Sequence, residues 1–333
     1  MMSPVRTILN GVVLVTGSFR AYDSSEHAAL LYDLKDTYQG HSFFDRFNYF
    51  SERDPTKGFV HYVPKEQAES LWTPDAHQNL TYASSDSAIL RVDTSVGPND
   101  EPNASTGRSS VRIESKDKYE SGLFIFDIKH APYGCGTWPA LWLTDHHNWP
   151  DHGEIDVMET VNQAEHGHQM TLHTTKGCTM DVNRQQTGLE VQTDCDWGTN
   201  SNAGCGVKSL PNEAGNNFNM NGGGIMAVEW RDEGIRMWQF PRGSIPSDIQ
   251  ETRPDPNTWG TALADFPNTN CDMGDYFKNQ SIVVNIALCG DLVNAVWGDS
   301  GCPGTCQDLV ANSPEAFENA YWEFGSFRVY QAN

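Results

Sequence analysis

Basic residues are scarce in this chain: 22 Lys and Arg stand against 44 Asp and Glu, a formal charge of −22. A polyanion would be repelled, which excludes nucleic acid and an anionic membrane surface as partners and leaves neutral or cationic ligands. The apolar run from Thr7 to Thr16 is too short to span a bilayer. Helical periodicity over ten or more residues is nearly absent. No C-x-x-C knuckle is present, so a structural zinc site has no support, and no Gly loop followed by Lys is available to cradle a phosphate. After Tyr32 no Ser/Pro-rich linker or charge block divides the chain, and there is no internal repeat.

What the chain does have is a series of short alternating runs bounded by Gly, Pro, Asn or Asp. They are Ala88 to Asp93, Ser109 to Glu114, Gly122 to Ile128, Ala140 to Leu143, Met170 to His173, Ile225 to Trp230, Ile235 to Phe240, Ile282 to Leu288 and Trp322 to Tyr330. Many short strands with Gly-rich connections predict an all-β sandwich or barrel. The long segment from Asp181 to Gly224 reads as a decorating loop, and Asn312-Ser313-Pro314 as the start of one short helix.

The first 21 residues read as a secretory signal. Arg6 is followed by an apolar stretch and then by Gly17, Ser18 and Ala21, with cleavage placed between Gly17 and Ala21. Residues 22–31 are a polar N-terminal segment, and residues 32–333 a single domain. Eight cysteines, an even number, fit disulfides made in an oxidising, extracellular compartment. Sequons begin at Asn79, Asn103 and Asn279.

The most informative stretch is Gly153-Glu154-Ile155-Asp156-Val157-Met158-Glu159. On a regular strand Glu154 and Asp156 share one face while Ile155 and Val157 enter the core. Strict alternation would then put Met158 beside the two acids. One extra residue at Val157-Met158, a β-bulge, returns Glu159 to the acidic face. Three aligned carboxylates repel one another, which gains a purely structural strand nothing; a solvated acidic strand nevertheless remains the alternative on spacing alone. A retaining glycosidase does need two carboxyl groups about 5–5.5 Å apart, with their pKa values pushed apart.

With Gly136-Thr137-Trp138-Pro139-Ala140-Leu141-Trp142 and Trp149-Pro150 just upstream, the stretch resembles glycoside hydrolase family 16, and within it the fungal secreted endo-β-1,3(4)-glucanases of the laminarinase-like branch. Thr171-Leu172-His173-Thr174, Asn221-Gly222-Gly223-Gly224, Phe240-Pro241-Arg242, Phe266-Pro267-Asn268-Thr269-Asn270-Cys271, Cys289-Gly290-Asp291 and Arg328-Val329-Tyr330-Gln331 extend the likeness over the whole of Tyr32 to Gln331. The resemblance implies a β-jelly-roll sandwich of two curved antiparallel sheets with long loops around a concave cleft. It implies retaining endo-hydrolysis of β-1,3 or mixed β-1,3/1,4 glucans by a secreted monomer that needs no cofactor. Glu154 is then the nucleophile, Glu159 the general acid/base, and Asp156 the residue that tunes the nucleophile. Trp142 and Trp149 match sugar-stacking positions, where flat apolar rings cover the C–H faces of pyranoses. Trp138 serves either as a platform or as core. His173 matches a histidine close to the acid/base. Trp230 and Trp238 stay between the two roles. A structural calcium on the outer sheet face is compatible with the resemblance, which names no ligands for it here.

The chain departs from the pattern at Leu292, where the branch often carries an aromatic; Trp297, five residues on, either replaces it or the platform is lost. Thr160 stands where Gly often follows the acid/base. Gly298-Asp299-Ser300-Gly301 resembles a trypsin-type nucleophile segment but lacks the matching histidine context, so it reads as a turn. His146, His147 and His152 have no fixed ligand spacing and read as solvated loop histidines. A glucan-binding protein without turnover and a β-glucan transglycosylase are the competing functions; retention of both Glu154 and Glu159 favours an enzyme.

Overall fold

A computed structural model of the chain describes residues 31–70, 79–95 and 107–333. The signal segment, most of the segment before Tyr32 and the Asn103 sequon lie outside the described residues. Two eight-stranded antiparallel sheets face each other. One runs in the order Ala264–Pro267, Gly234–Pro241, Gly224–Arg231, Gly122–His130, Tyr321–Ala332, Ala88–Arg91 and Thr81–Ala83, with Tyr32–Gln39 also paired to Tyr321–Ala332. The other runs Leu189–Glu190, Cys205–Lys208, Gln169–His173, Glu154–Glu159, Thr137–Thr144, Ser281–Leu288, Arg112–Ser115 and Phe47–Phe50. Helices are short and confined to connections. This is the all-β sandwich that the alternating runs predict, in the two-sheet form that the family resemblance implies.

Period-two alternation decides which side chains meet between the sheets. Ile155, Val157, Leu141, Leu143, Met170 and Leu172 from the second sheet enter the same buried cluster as Phe124, Phe126, Val228, Trp230, Phe324 and Phe327 from the first. Each such side chain contributes about 1.5–3 kcal/mol by leaving water. The opposite face of the second sheet is thereby left to polar and aromatic residues. Trp230 is therefore core, and so is Trp238, which sits in a separate cluster on the far face of the first sheet with Trp259 at 5.2 Å.

Three expectations need correction. The run Ser109 to Glu114 is not one strand. Arg108–Ser110 pairs in parallel with Val60–Tyr62, whereas Arg112–Ser115 joins the second sheet, so the chain changes partner at Val111. The segment from Asp181 to Gly224 is more than a loop: it supplies Leu189–Glu190 and Cys205–Lys208 to the second sheet and the helix Gly215–Met220. Its strands are too short for their alternation to register in the sequence. Short helices at Gly290–Val296 and Cys306–Asn312 went unforeseen, and the one foreseen at Pro314 is a single 3-10 turn, Pro314–Phe317.

Four disulfides join Cys135 to Cys302, Cys178 to Cys271, Cys195 to Cys205 and Cys289 to Cys306, and no cysteine is left free. The Cys195–Cys205 bridge closes the loop that reaches His173, and the Cys289–Cys306 bridge ties the loop whose Gly290 lies against Trp138.

Candidate active site

The acidic strand Glu154–Glu159 lies between Thr137–Thr144 and Gln169–His173. Its pairing with both neighbours shifts at the place where alternation alone would fail. Asp156 is opposite Trp142 and Thr171, and Glu159 is opposite Ala140 and Gln169. On one side Val157 and Met158 together oppose the single residue Met170, and on the other Met158 faces Leu141 while Val157 has no partner. That two-for-one count is a β-bulge. Ile155, Val157 and Met158 are buried in the core, while Glu154 and Glu159 are mostly buried with some exposure and Asp156 is buried at their level.

Glu154 and Asp156 are met by His173, which stands opposite Glu154 at the end of its own strand. His173 Nε2 lies 3.3 Å from Asp156 Oδ2 and 4.0 Å from Glu154 Oε1. The histidine therefore lies directly on the first two acids, and its charge also acts on Glu159. Burial alone would drive its imidazolium pKa down; pairing with Asp156 and the charges of Glu154, Asp156 and Glu159 override that and carry it up to about 10. Burial pushes both Glu154 and Asp156 up; the neighbouring Asp156 charge adds to the rise at Glu154, and His173 opposes the rise at both. The indole nitrogen of Trp149 is buried next to Glu154 and opposes that rise without a hydrogen bond of ordinary geometry.

Glu159 has a different neighbour. The Trp138 indole N–H donates to its Oε1 at 2.7 Å. Burial raises the Glu159 pKa, and this hydrogen bond opposes the rise. Trp138 is thus neither plain core nor a free platform, since its nitrogen is committed to a carboxyl group.

Beyond Trp142 the sheet register carries the site across the face. Val283 lies opposite both Trp142 and Glu114, Asn285 opposite both Ala140 and Arg112, and Arg112 opposite Phe50. The Trp142 N–H donates to Asn285 Oδ1 at 2.8 Å. The Arg112 guanidinium lies 5.0 Å from the Trp142 ring and 4.4 Å from Phe50, anchored by two hydrogen bonds to Glu114 Oε1. Its positive charge lowers the Glu154 pKa. None of Arg112, Glu114, Asn285 and Phe50 was singled out in the sequence. Asn285 had a signal, as a lone amide in the apolar strand Ser281–Leu288.

On the other side, Trp197 is 45% exposed and packs edge-on to Trp149 at 5.6 Å. Trp297 is half-buried against the core, and its N–H donates to Gly304 O at 3.0 Å. Ser300 sits in a turn, with its hydroxyl on Trp297 O. His146 and His152 are paired with Glu114 and Asp145 rather than free in solvent, each at 2.8 Å. Among the described residues, one cluster has the spacing of a metal site: Glu154, Asp156 and His173, with ligand atoms within 4.8 Å of one another.

Comparison with known proteins adds the family. A family model described as the XgeA-like catalytic GH16 domain matches residues 47–330. A probable glycosidase of Schizosaccharomyces pombe is 43% identical over 310 residues, covering 92% of this chain and 70% of that protein. The chain spans only 51% of a longer relative from Aspergillus clavatus, named a probable endo-1,3(4)-β-glucanase. Among solved structures, GH16 laminarinase 16A from Phanerochaete chrysosporium, described with β-glucans in donor and acceptor sites, superposes with TM-score 0.84 at 42% identity, covering 90% of this chain and all of that one. A structure described as an elongating GH family 16 β-1,3-glucosyltransferase superposes with TM-score 0.82 at 41% identity over the same shares.

Proposed function

This chain belongs to glycoside hydrolase family 16, in the XgeA-like group, and on that basis we propose that it cleaves internal bonds of β-1,3 or mixed β-1,3/1,4 glucans with retention of configuration. The observation that carries the reading is the bulge at Val157-Met158, which brings Glu159 back to the face of Glu154 and Asp156. Glu154 attacks the anomeric carbon while Glu159 gives its proton to the departing glycosidic oxygen. As the new bond to Glu154 forms, the proton it shares with Asp156 passes wholly to Asp156. The His173 imidazolium balances the negative charge that the pair carries before that transfer. Once Glu154 is esterified, Glu159, now ionised, takes a proton from water, the hydroxide oxygen bonds to the anomeric carbon, and Glu154 leaves as a carboxylate.

Trp142 and Trp149 offer rings on either side of the acids, with Trp138 behind Glu159. The Trp142–Asn285–Arg112 series extends one side of the cleft, and Trp197 the other. Transfer to a second sugar is a second reading, favoured by the described activity of the glucosyltransferase structure. Incubation with laminarin, lichenan and xyloglucan separates the outcomes. New reducing ends mean hydrolysis, longer products without them mean transfer, and retention of glucan with neither means binding alone. The four disulfides support secretion. At the Asn279 sequon the side-chain amide already donates to Asp145 at 2.9 Å, which argues against a glycan there.

A further inference from the structure

The hairpin closed by Cys195 and Cys205 spends its polar groups on one catalytic neighbour. Its base is stitched to the residue after His173: Thr174 N–H donates to Cys195 O at 2.8 Å and Trp197 N–H to Thr174 O at 2.9 Å. Its tip holds three consecutive non-glycine residues in the left-handed region, Asn200, Ser201 and Asn202, at φ of 49°, 58° and 60°. Such residues cost about 1–3 kcal/mol each unless their surroundings hold them. The strained turn delivers the Asn202 side chain to the ring of His173, with Oδ1 2.9 Å from Nδ1. Next to it Gly204, at φ 61°, runs so close that a Cβ there would sit 2.9 Å from His173 Cε1. The ring is thus gripped from the hairpin side by an amide and a bare backbone, and from the strand side by Asp156 at 3.3 Å.

We infer that Asn202 is a positioning residue for catalysis, fixing the His173 ring so that its Nε2 stays within ion-pair distance of Asp156 beside the nucleophile. The groups facing the ring are the carboxylates of Glu154, Asp156 and Glu159 from the neighbouring strand and the Asn202 amide from the hairpin. The hairpin's own carboxylate, Asp196, is taken up by Gly198 N–H at 2.9 Å. An amide suits this place because it can present either of two faces. Its oxygen accepts from Nδ1–H when the ring is cationic; turned over, its NH2 donates to a bare Nδ1 when the ring is neutral. A carboxylate in its place could only accept, and would hold the cation more firmly. An apolar side chain would leave Nδ1 unsatisfied beside the hairpin and free the ring to turn.

This assignment rests on the proposed glucanase reading for its kinetic consequence but not for its structural one. The test uses the full chain with Asn202→Leu and Asn202→Asp, following the His173 ring by NMR across pH and kcat/KM on laminarin in parallel, with melting curves as a check on folding. Asn202→Leu is expected to lower the His173 midpoint by about one pH unit or more, and kcat by about tenfold with KM nearly unchanged. Asn202→Asp is expected to raise the midpoint and keep activity within about threefold of the parent chain. A Leu variant with the parent midpoint would overturn the inference, as would equal losses of activity in both variants with neither midpoint moved. If the parent chain cleaves no glucan, the functional reading fails, while the NMR midpoints still decide the role of Asn202.

Discussion

The two ends of the acidic strand carry carboxyl groups of similar exposure in opposite company. At the start, Glu154 lies beside Asp156 under an imidazolium and within reach of the Arg112 charge. At the end, Glu159 has a neutral indole N–H and, among the described residues, no ion pair. Burial raises all three acids, so burial cannot be what distinguishes them. The difference lies in whether charge can be rearranged locally. The Glu154 end can move a proton internally while keeping its net charge, which suits a nucleophile that must be unmasked on demand. The Glu159 end can only exchange its proton with substrate or water, which suits an acid that later becomes a base.

Breaking each end separately exposes the contrast. Glu154→Gln is expected to lower laminarin cleavage by on the order of 10⁴-fold or more with an unchanged melting temperature. A fully active variant would remove the nucleophile assignment. Glu159→Gln is expected to lose about 10²–10⁴-fold on laminarin. On an aryl β-glucoside whose leaving group needs no proton, bond cleavage should survive the change at Glu159 and still be lost with the change at Glu154. Loss of both on the activated substrate would mean that the two ends do not divide the chemistry as argued.

How far the sequence foretold this contrast depends on how local each contact is. The bulge was legible because Glu154, Asp156 and Glu159 cannot share a face under strict alternation, and the fault lies within six consecutive residues. The two sheets were legible for the same reason, since each strand declares its buried side. Contacts made by register across several strands were not. Arg112 reaches Trp142 only because Ser281–Leu288 lies between their strands, and that order is set by the whole sandwich. Asn202 and Trp197 were hidden for another reason: their loop path depends on which cysteines pair, and eight cysteines leave that choice open. Ser109 to Glu114 misled because a run can alternate perfectly while its halves serve different sheets.

The Glu154 end should also leave a trace in stability. His173 binds its proton more tightly folded, with a pKa near 10, than unfolded, where about 6.5 is usual. Between those values the native state holds a proton that the unfolded chain has lost. The contribution is therefore complete below pH 6.5 and disappears as pH rises through 10. The melting temperature should fall across that window, and His173→Gln should flatten the fall. An identical slope in the variant would mean that the imidazolium is not held as described.

The smallest effect expected is at the other end, and it is the most selective. Trp138→Phe keeps a ring in place but removes the N–H that stabilises the Glu159 carboxylate. Without that donor the carboxylate is less stable, so the Glu159 pKa rises. The alkaline limb of kcat/KM, which reports loss of the general acid, should move upward, while breakdown of the glycosyl-enzyme at acid pH, which needs Glu159 ionised, should slow about three- to tenfold. The indole is itself held by the loop tied through Cys289–Cys306. Gly290, at φ 86°, lies flat against it, and an added Cβ would come 3.2 Å from Trp138 Cζ3 and 3.0 Å from Thr56 O. Gly290→Ala should thus shift the same limb in the same direction by dislodging the indole, at some loss of stability from the left-handed backbone. His173 should move much less than the Glu159 limb in both variants, since Glu159 is the smallest of the charges that raise it. If it moved as far as the Glu159 limb, the two ends would be one coupled unit, and the separation of their roles by neighbour type would be wrong.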